Sequence, residues 1–121
     1  MTAVMSGPRH ILIVEDEPLI AMMLEDFLDA LDRELAGVAD NVADALALVA
    51  AGGIDGAILD VNLRAGEHSW PIADRLAELG IPFVLATGGG GDSIAEAHRA
   101  RPTLSKPFTM DAVEKALNSL A

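Results

Sequence analysis

The chain has 121 residues, enough for one domain with its own core, and it contains no cysteine, which excludes disulfide bonds and thiolate chemistry. Its formal charge is −11, from 8 basic and 19 acidic residues. This charge disfavours nucleic acids and anionic membranes as partners, because binding to either needs clustered Lys and Arg. No apolar stretch has the length of a signal peptide or a membrane span. We expect a cytoplasmic protein with a flexible leader over residues 1–9 and one domain over residues 10–121.

Apolar runs of strand length alternate with segments of helical period along the chain. The predicted strands are 11–14, 35–38, 57–59, 82–86 and 103–105, of which the second is the weakest. The predicted helices begin at Pro18, after a cap at Asn41, near residue 69, near residue 93 and after a cap at Thr109. Five rounds of strand and helix with short connections indicate right-handed crossovers. They predict an α/β fold with a five-stranded parallel sheet and helices on both faces.

Residues that can carry chemistry follow the predicted strands, at the edge of a parallel sheet where ligands bind. In chain order they are Glu15, Asp16 and Glu17 after the first strand, Asp60 after the third, Thr87 after the fourth and Lys106 after the fifth. Two carboxylates about 4 Å apart repel by roughly 4 kcal/mol at an effective dielectric constant of about 20. Glu15, Asp16 and Asp60 therefore need cations in one pocket. We expect Lys106 to supply one positive charge and Mg²⁺, or Mn²⁺ in its place, to supply two more.

This pattern suits the transfer of a phosphoryl group to Asp60. A carboxylate in this position attacks a phosphoryl donor and forms an acyl phosphate, while Lys106 and the cation neutralise charge on the transferred group. The Thr87 hydroxyl would donate a hydrogen bond to that group, whose charge would pull it inward and act as a switch. Each residue alone has an ordinary explanation; Glu17, for instance, suits a helix start. The joint pattern at four strand ends favours the phosphoryl acceptor.

Other notable residues carry weaker signals. The three histidines, His10, His68 and His98, fall in different connections or helix ends, so their spacing predicts no metal site and we expect all three on the surface. Trp70 is predicted to be a partly buried packing residue. Residues 88–91 are four glycines with little backbone preference, and we expect this loop to become ordered on phosphorylation.

Four motifs, in this order, resemble those of the receiver domain of two-component response regulators. They are Ile-Leu-Ile-Val-Glu-Asp-Glu-Pro at 11–18, Leu-Asp-Val-Asn at 59–62, Ala-Thr-Gly at 86–88 and Ser-Lys-Pro-Phe at 105–108. The resemblance covers residues 11–120. It implies the flavodoxin-like strand order 2-1-3-4-5, and it implies that a sensor histidine kinase or a histidine phosphotransfer protein donates the phosphoryl group from a phosphohistidine.

The same resemblance implies a role for each matching residue. Asp60 would be the phosphoacceptor, and Thr87 and Lys106 would contact the phosphoryl group. Asp16 would bind Mg²⁺ directly and Glu15 mainly through a metal-bound water. The last implied ligand is the main-chain carbonyl of Asn62.

Two positions depart from the usual receiver pattern. Thr103 stands where most receivers have an aromatic switch residue, three positions before the lysine, and Arg64 stands where most have a proline. The segments 60–63, 69–71 and 85–89 resemble instead a stand-alone alphaproteobacterial subgroup with a Phe-Ala-Thr-Gly motif, in which Leu85 here replaces the Phe. That resemblance suggests a kinase of the HWE or a related type as the partner.

The sequence therefore predicts a stand-alone response regulator that catalyses only its own phosphorylation and dephosphorylation. It would signal through protein–protein contact or act as a phosphate sink. The alternative is an unswitched pseudo-receiver that binds proteins constitutively, and Thr103 favours it. A hydrolase of the haloacid dehalogenase type is disfavoured because Asn62 cannot supply a proton. An FMN-binding protein is disfavoured because the acids at 15–17 would repel the phosphate of FMN.

Overall fold

A computed structural model of the protein describes residues 7–63, 66–88 and 94–120. These residues form one five-stranded parallel sheet in the order β2-β1-β3-β4-β5, which confirms the predicted flavodoxin-like fold. The strands are β1 (His10–Val14), β2 (Glu34–Ala39), β3 (Gly56–Asp60), β4 (Phe83–Thr87) and β5 (Thr103–Ser105). The α-helices within the same residues are α1 (Pro18–Ala30), α2 (Val42–Ala51), α3 (Trp70–Glu78) and α4 (Met110–Asn118).

Two hydrophobic clusters cover the two faces of the sheet, because successive side chains of a strand point to opposite faces. Leu12 and Val14 of β1 pack with the apolar faces of α2 and α3. Ile11 and Ile13 of the same strand pack with α1 and α4. The central strands β1, β3 and β4 are therefore buried on both faces, as their continuous apolar runs predict.

The helix ends follow the sequence signals. Asn41 caps α2 by accepting a hydrogen bond from the amide of Asp44 (2.8 Å), and Thr109 caps α4 by accepting one from the amide of Ala112 (3.2 Å). Pro18 lies in the first turn of α1. Gly52 ends α2 with a φ of 84°, a conformation that glycine adopts at no steric cost. These caps fix where each helix begins and ends relative to the strand before it.

The helix predicted near 93–99 is the one element that differs. Among the described residues this segment contains a single 3-10 turn, Glu96–His98, instead of an α-helix. Its first residue, Ser93, lies outside the described residues. Ala95 at the turn's amino end has no side chain that can cap it, and Pro102 follows soon after, so the segment is too short to sustain an α-helix.

The amino-terminal segment packs against the start of the sheet. Pro8 is buried, and its carbonyl accepts a hydrogen bond from the buried guanidinium of Arg33. The same guanidinium donates to Oδ1 of Asn118 at 2.6 Å, so it connects residues at both ends of the described chain. Residues 1–6 lie outside the described residues, and the boundary of the leader at residue 9 stays a prediction.

No helix among the described residues combines the length and the apolar character that crossing a bilayer requires.

Candidate functional site

The strand registers bring the predicted site residues to one edge of the sheet. Val14 pairs with Leu59, so Glu15 and Asp60 each follow directly after paired residues of neighbouring strands. Asp60 is the last residue of β3 and Thr87 the last of β4. Lys106 follows β5, and its amide donates to the carbonyl of Thr87 at 2.9 Å. Four strands, β1, β3, β4 and β5, thus place these side chains at the carboxyl edge of the sheet, as predicted for a parallel α/β sheet.

A partly buried lysine connects two buried carboxylates at this edge. Nζ of Lys106 donates to Oδ2 of Asp60 at 2.7 Å. It also lies 3.0 Å from Oε1 of Glu15, in an ion pair that lacks the geometry of a hydrogen bond. The side chains of Glu15 and Asp60 are 1% and 6% exposed and that of Lys106 is 18% exposed, so solvent screens these charges only weakly.

Backbone amides fix the two remaining carboxylate oxygens. The amide of Glu17 donates to Oε2 of Glu15 at 3.1 Å, and the amide of Asn62 donates to Oδ1 of Asp60 at 3.3 Å. Both donors lie two residues after their acceptors, in the turns that follow β1 and β3. The two carboxylates are therefore held in place before any ligand binds.

The crowding of charge shifts two pKa values. Burial raises the pKa of Glu15 from 4.5 to about 7, and the nearby carboxylate of Asp60 acts in the same direction. Burial alone would lower the pKa of Lys106, but its hydrogen bond to Asp60 and its contact with Glu15 outweigh that effect and raise it. The pocket therefore holds more negative charge than one lysine can balance.

The acids of this pocket fit a hard cation. Glu15, Asp16 and Asp60 each offer a carboxylate oxygen, and these oxygens all lie within 4.8 Å of one another. Carboxylate oxygens are the ligands that Mg²⁺ prefers, and the uncompensated charge of the pocket favours a divalent ion. Asn62 is exposed, and its carbonyl as a further ligand stays a prediction.

A groove of about 340 Å³ opens beside these acids, between the start of α1 and the end of β2. Its walls combine acidic and small apolar side chains. They are contributed by Glu15, Asp16, Pro18, Ala21, Val38, Ala39, Asp40 and Asp44. The groove gives the acidic pocket access to solvent on the side of α1.

Thr87 and Thr103 lie where the sequence predicts them on the sheet. Thr87 is buried at the end of β4, with 8% of its surface exposed. Thr103 is exposed at the start of β5, next to Leu85 in the strand register. This position of β5 therefore presents a small polar side chain to solvent. Residues 89–91 of the glycine run lie outside the described residues.

The prediction that all three histidines lie on the surface is wrong for His98. Its ring is buried and stacks on Trp70, with 5.9 Å between the ring centroids, and it meets the ring of Phe83 edge-on at 5.5 Å. Nε2 of His98 lies 2.7 Å from Oδ1 of Asp74. The residues around His98 in sequence are mostly polar or alanine, so no periodicity signals its burial.

Known proteins similar to this chain contain receiver domains. The response regulator receiver domain family matches residues 11–118. The phyllosphere-induced regulator PhyR of Methylorubrum extorquens is 32% identical over 103 residues, which cover 82% of this chain but only 38% of PhyR. The solution structure of SdrG from Sphingomonas melonis Fr1 is 64% identical with a TM-score of 0.86, and the match covers 96% of this chain and 98% of SdrG. The BeF3-activated conformation of SdrG, from Pseudomonas melonis Fr1, is 64% identical with a TM-score of 0.80. This match covers 93% of the present chain and 96% of the SdrG chain.

Proposed function

The chain belongs to the response regulator receiver domain family, and on this premise we propose that it accepts a phosphoryl group on Asp60 from a histidine kinase or a phosphotransfer protein. One observation carries the proposal. The carboxylate of Asp60 is buried and paired with Lys106 at 2.7 Å, and it shares its pocket with two further acids that fit a hard cation. Burying several carboxylates together without full compensation of their charge lowers stability, so this arrangement favours a functional role over a purely structural one.

The side chains divide the reaction between them. An oxygen of Asp60 attacks the phosphorus atom of a phosphohistidine, a P–O bond forms as the P–N bond breaks, and the bonding electrons leave with the imidazole nitrogen. Lys106 moves its hydrogen bond from Asp60 to an oxygen of the transferred group. The hydroxyl of Thr87 donates a second hydrogen bond to that group from the end of β4.

The acidic residues would hold the metal ion. Asp16, Asp60 and the carbonyl of Asn62 would bind Mg²⁺ directly, and Glu15 would act mainly through a metal-bound water. The ion, when bound, neutralises charge on the phosphoryl oxygens during transfer. The opening of the groove beside Glu15 and Asp16 supports access for the ion from this side.

Phosphorylation would then be transmitted through other proteins. We propose that the chain acts in the cytoplasm, either by contacting a downstream protein in its phosphorylated state or by draining phosphate from a shared kinase. The net charge of −11 argues against nucleic acid as a direct partner. The similarity to SdrG, which has been solved in a BeF3-activated conformation, supports a switched function for this chain.

One observation favours a second candidate, a receiver that binds its partner constitutively without a switch. Thr103 is small and exposed, so the movement of Thr87 cannot be coupled to the burial of a ring at this position. The two candidates differ in whether occupancy of the Asp60 pocket changes residues outside it.

A titration with Mg²⁺ followed by beryllofluoride, a mimic of the bound phosphoryl group, tests the proposal. Backbone NMR of the wild type should show Mg²⁺-dependent shifts at Glu15, Asp16 and Asp60, and further shifts at Thr87 and Lys106 with beryllofluoride. Asp60→Asn should lose the beryllofluoride step. Asp26→Asn, which removes an exposed acid on α1, is the matched control and should behave like wild type.

The outcome also separates the two candidates. Shifts confined to the pocket favour the constitutive module, whereas shifts that extend to a distant surface favour the switch. A wild-type pocket that responds to neither ligand would remove the basis for phosphoryl acceptance.

A further inference from the structure

Two strands that end at the phosphoryl site, β3 and β4, are each linked to His98 through described contacts. The segment after Asp60 is tied back to β3, because the amide of Ser69 donates to the carbonyl of Val61 at 3.1 Å. Trp70, the next residue, begins α3 and stacks on His98. His98 also meets the ring of Phe83, which begins β4, the strand that ends at Thr87. A movement at either Asp60 or Thr87 therefore has a short structural route to His98.

His98 is enclosed on three sides. Trp70 lies almost parallel to its ring, at an interplanar angle of 14°, and Phe83 meets it at 65°. Asp74, one turn after Trp70 on α3, holds Nε2 of His98 at 2.7 Å. The side chain of His98 is 4% exposed and that of Asp74 is 65% exposed. An exposed carboxylate therefore holds the buried ring in position. This pair connects α3 to the 3-10 turn, Glu96–His98.

The enclosure leaves hydrogen-bonding capacity unused. Nδ1 of His98 is buried and has no hydrogen-bond partner among the described residues, and the same holds for Oγ of Ser69, directly before Trp70. A buried polar atom without a partner costs free energy, so a second arrangement that satisfies these atoms can compete with this one. Two discrete arrangements of similar free energy are what a switch requires.

We propose that His98 is the positioning residue of this protein's switch, and that phosphorylation of Asp60 breaks its pair with Asp74 and repacks the surface formed by the start of α3 and residues 94–101. This inference rests on the function proposed above. The ring of His98 would then respond to phosphorylation of Asp60, a role that Thr103 cannot fill because it has no ring. The surface that changes bears Arg99 and Arg101, and the guanidinium of Arg101 lies 4.4 Å above the ring of Phe83. Repacking of His98 thus changes the positive charge that the surface presents to a partner.

The test uses Asp74→Ala, because Asp74 is exposed and lies outside both the core and the phosphoryl pocket. Glu78→Ala is the matched control, since it removes the same charge from an exposed position of the same helix. Trp70 is the only tryptophan of the chain, so its fluorescence reports on this cluster alone. The imidazole signals of His98 and the backbone amides of the pocket, both followed by NMR, complete the measurement.

Beryllofluoride with Mg²⁺ should change Trp70 fluorescence and the His98 signals of the wild type and of Glu78→Ala. In free Asp74→Ala both signals should already lie near the bound values of the wild type. Because the variant no longer has to break the pair, it should bind beryllofluoride about fivefold more tightly, at the lower end of typical coupling between sites. A purely structural role of Asp74 would not tighten binding at a pocket that it does not touch.

The inference and the proposed function fail in different ways. If the pocket amides of the wild type shift while Trp70 and His98 do not, or if Asp74→Ala responds like Glu78→Ala, His98 is not the switch residue, and phosphoryl acceptance still stands. If the pocket amides themselves do not shift, the proposed function is overturned, and this inference with it.

Discussion

The two edges of the sheet use the same kinds of ion pair for different purposes. At the amino edge, His10 lies between Asp55 (2.8 Å) and Glu34 (2.9 Å), and Arg9 lies 3.4 Å from Glu34. These side chains are 42–59% exposed. At the carboxyl edge, Glu15, Asp60 and Lys106 make contacts of similar length, but the two carboxylates are buried and the lysine is 18% exposed.

Burial is what separates the two edges. Solvent screens the amino-edge pairs, so they add little stability and leave no charge that demands a ligand. At the carboxyl edge the same contacts are screened weakly, and the excess of carboxylate is expensive to hold. The fold thus buries its excess of carboxylate at the edge where ligands bind, which suits a site that is completed by a cation and a phosphoryl group.

The largest effect is expected from Lys106→Met. Removing the lysine leaves two buried carboxylates without their cation, so the free energy of unfolding should fall by about 3 kcal/mol in Mg²⁺-free buffer, and added Mg²⁺ should restore part of it. Urea denaturation with and without Mg²⁺ measures both. Lys115→Met, on the exposed face of α4, is the control. If the free energy of unfolding falls by the same small amount in both variants, Lys106 does not compensate buried charge at the carboxyl edge.

A smaller loss is expected at the amino edge from Arg33→Met. This change leaves the carbonyl of Pro8 and Oδ1 of Asn118 without the buried donor, which should lower the free energy of unfolding by about 2 kcal/mol. Arg9→Met, an exposed change nearby, should cost no more than about 0.5 kcal/mol. Binding of beryllofluoride should be the same in both variants, since neither residue touches the pocket. A loss of binding in Arg33→Met would contradict the separation of the two edges.

The smallest effects are the pH dependences of the two edges. The pKa of Glu15 in the folded protein, about 7, lies above its ordinary value of 4.5, so the folded state binds the proton more tightly than the unfolded state does. Stability of the Mg²⁺-free protein should therefore fall as the pH rises from about 4.5 to about 7. The pKa of His10 is raised, mainly by its hydrogen bond to Asp55, so its contribution is present below 6.5 and is lost as the pH rises through its folded-state pKa.

Two variants show which residue causes the loss of stability in each of these two pH ranges. Glu15→Gln should remove the fall between pH 4.5 and 7, and His10→Gln should remove the one above it, when thermal unfolding is followed across the pH range. Mg²⁺ should abolish the first window and leave the second unchanged. A first window that persists in Glu15→Gln would assign it to another group.

The sequence predicts the carboxyl edge well because its signals are local. Continuous apolar runs predict the buried strands, and a parallel sheet brings the residues after those strands together, which places Glu15, Asp60 and Lys106 in contact. The roles of these residues in phosphoryl transfer stay predictions. Contacts between distant segments leave no such signal. His98 and Asp74 are 24 residues apart, and Arg33 and Asn118 are 85 apart, so neither pair follows from periodicity or motif.

The helix predicted near 93–99 failed for a related reason. Its alanines and charged residues favour a helix locally, but the segment is short, has no capping side chain and places His98 between Trp70 and Phe83. Contacts of this ring with residues distant in sequence are an effect that intrinsic propensity does not contain.

The two hydrogen bonds of the Arg33 guanidinium bring together residues near both ends of the described chain, which would permit a circular permutation of the protein. It contacts residues 8 and 118 at once, so a short peptide linker could join these two positions with little loss of entropy. New termini could then be opened at the exposed glycines 52 and 53, between α2 and β3. In such a circular permutant β3, with Asp60 at its end, would be the first strand of the chain, and the architecture of the carboxyl edge would be preserved by contacts that do not depend on connectivity.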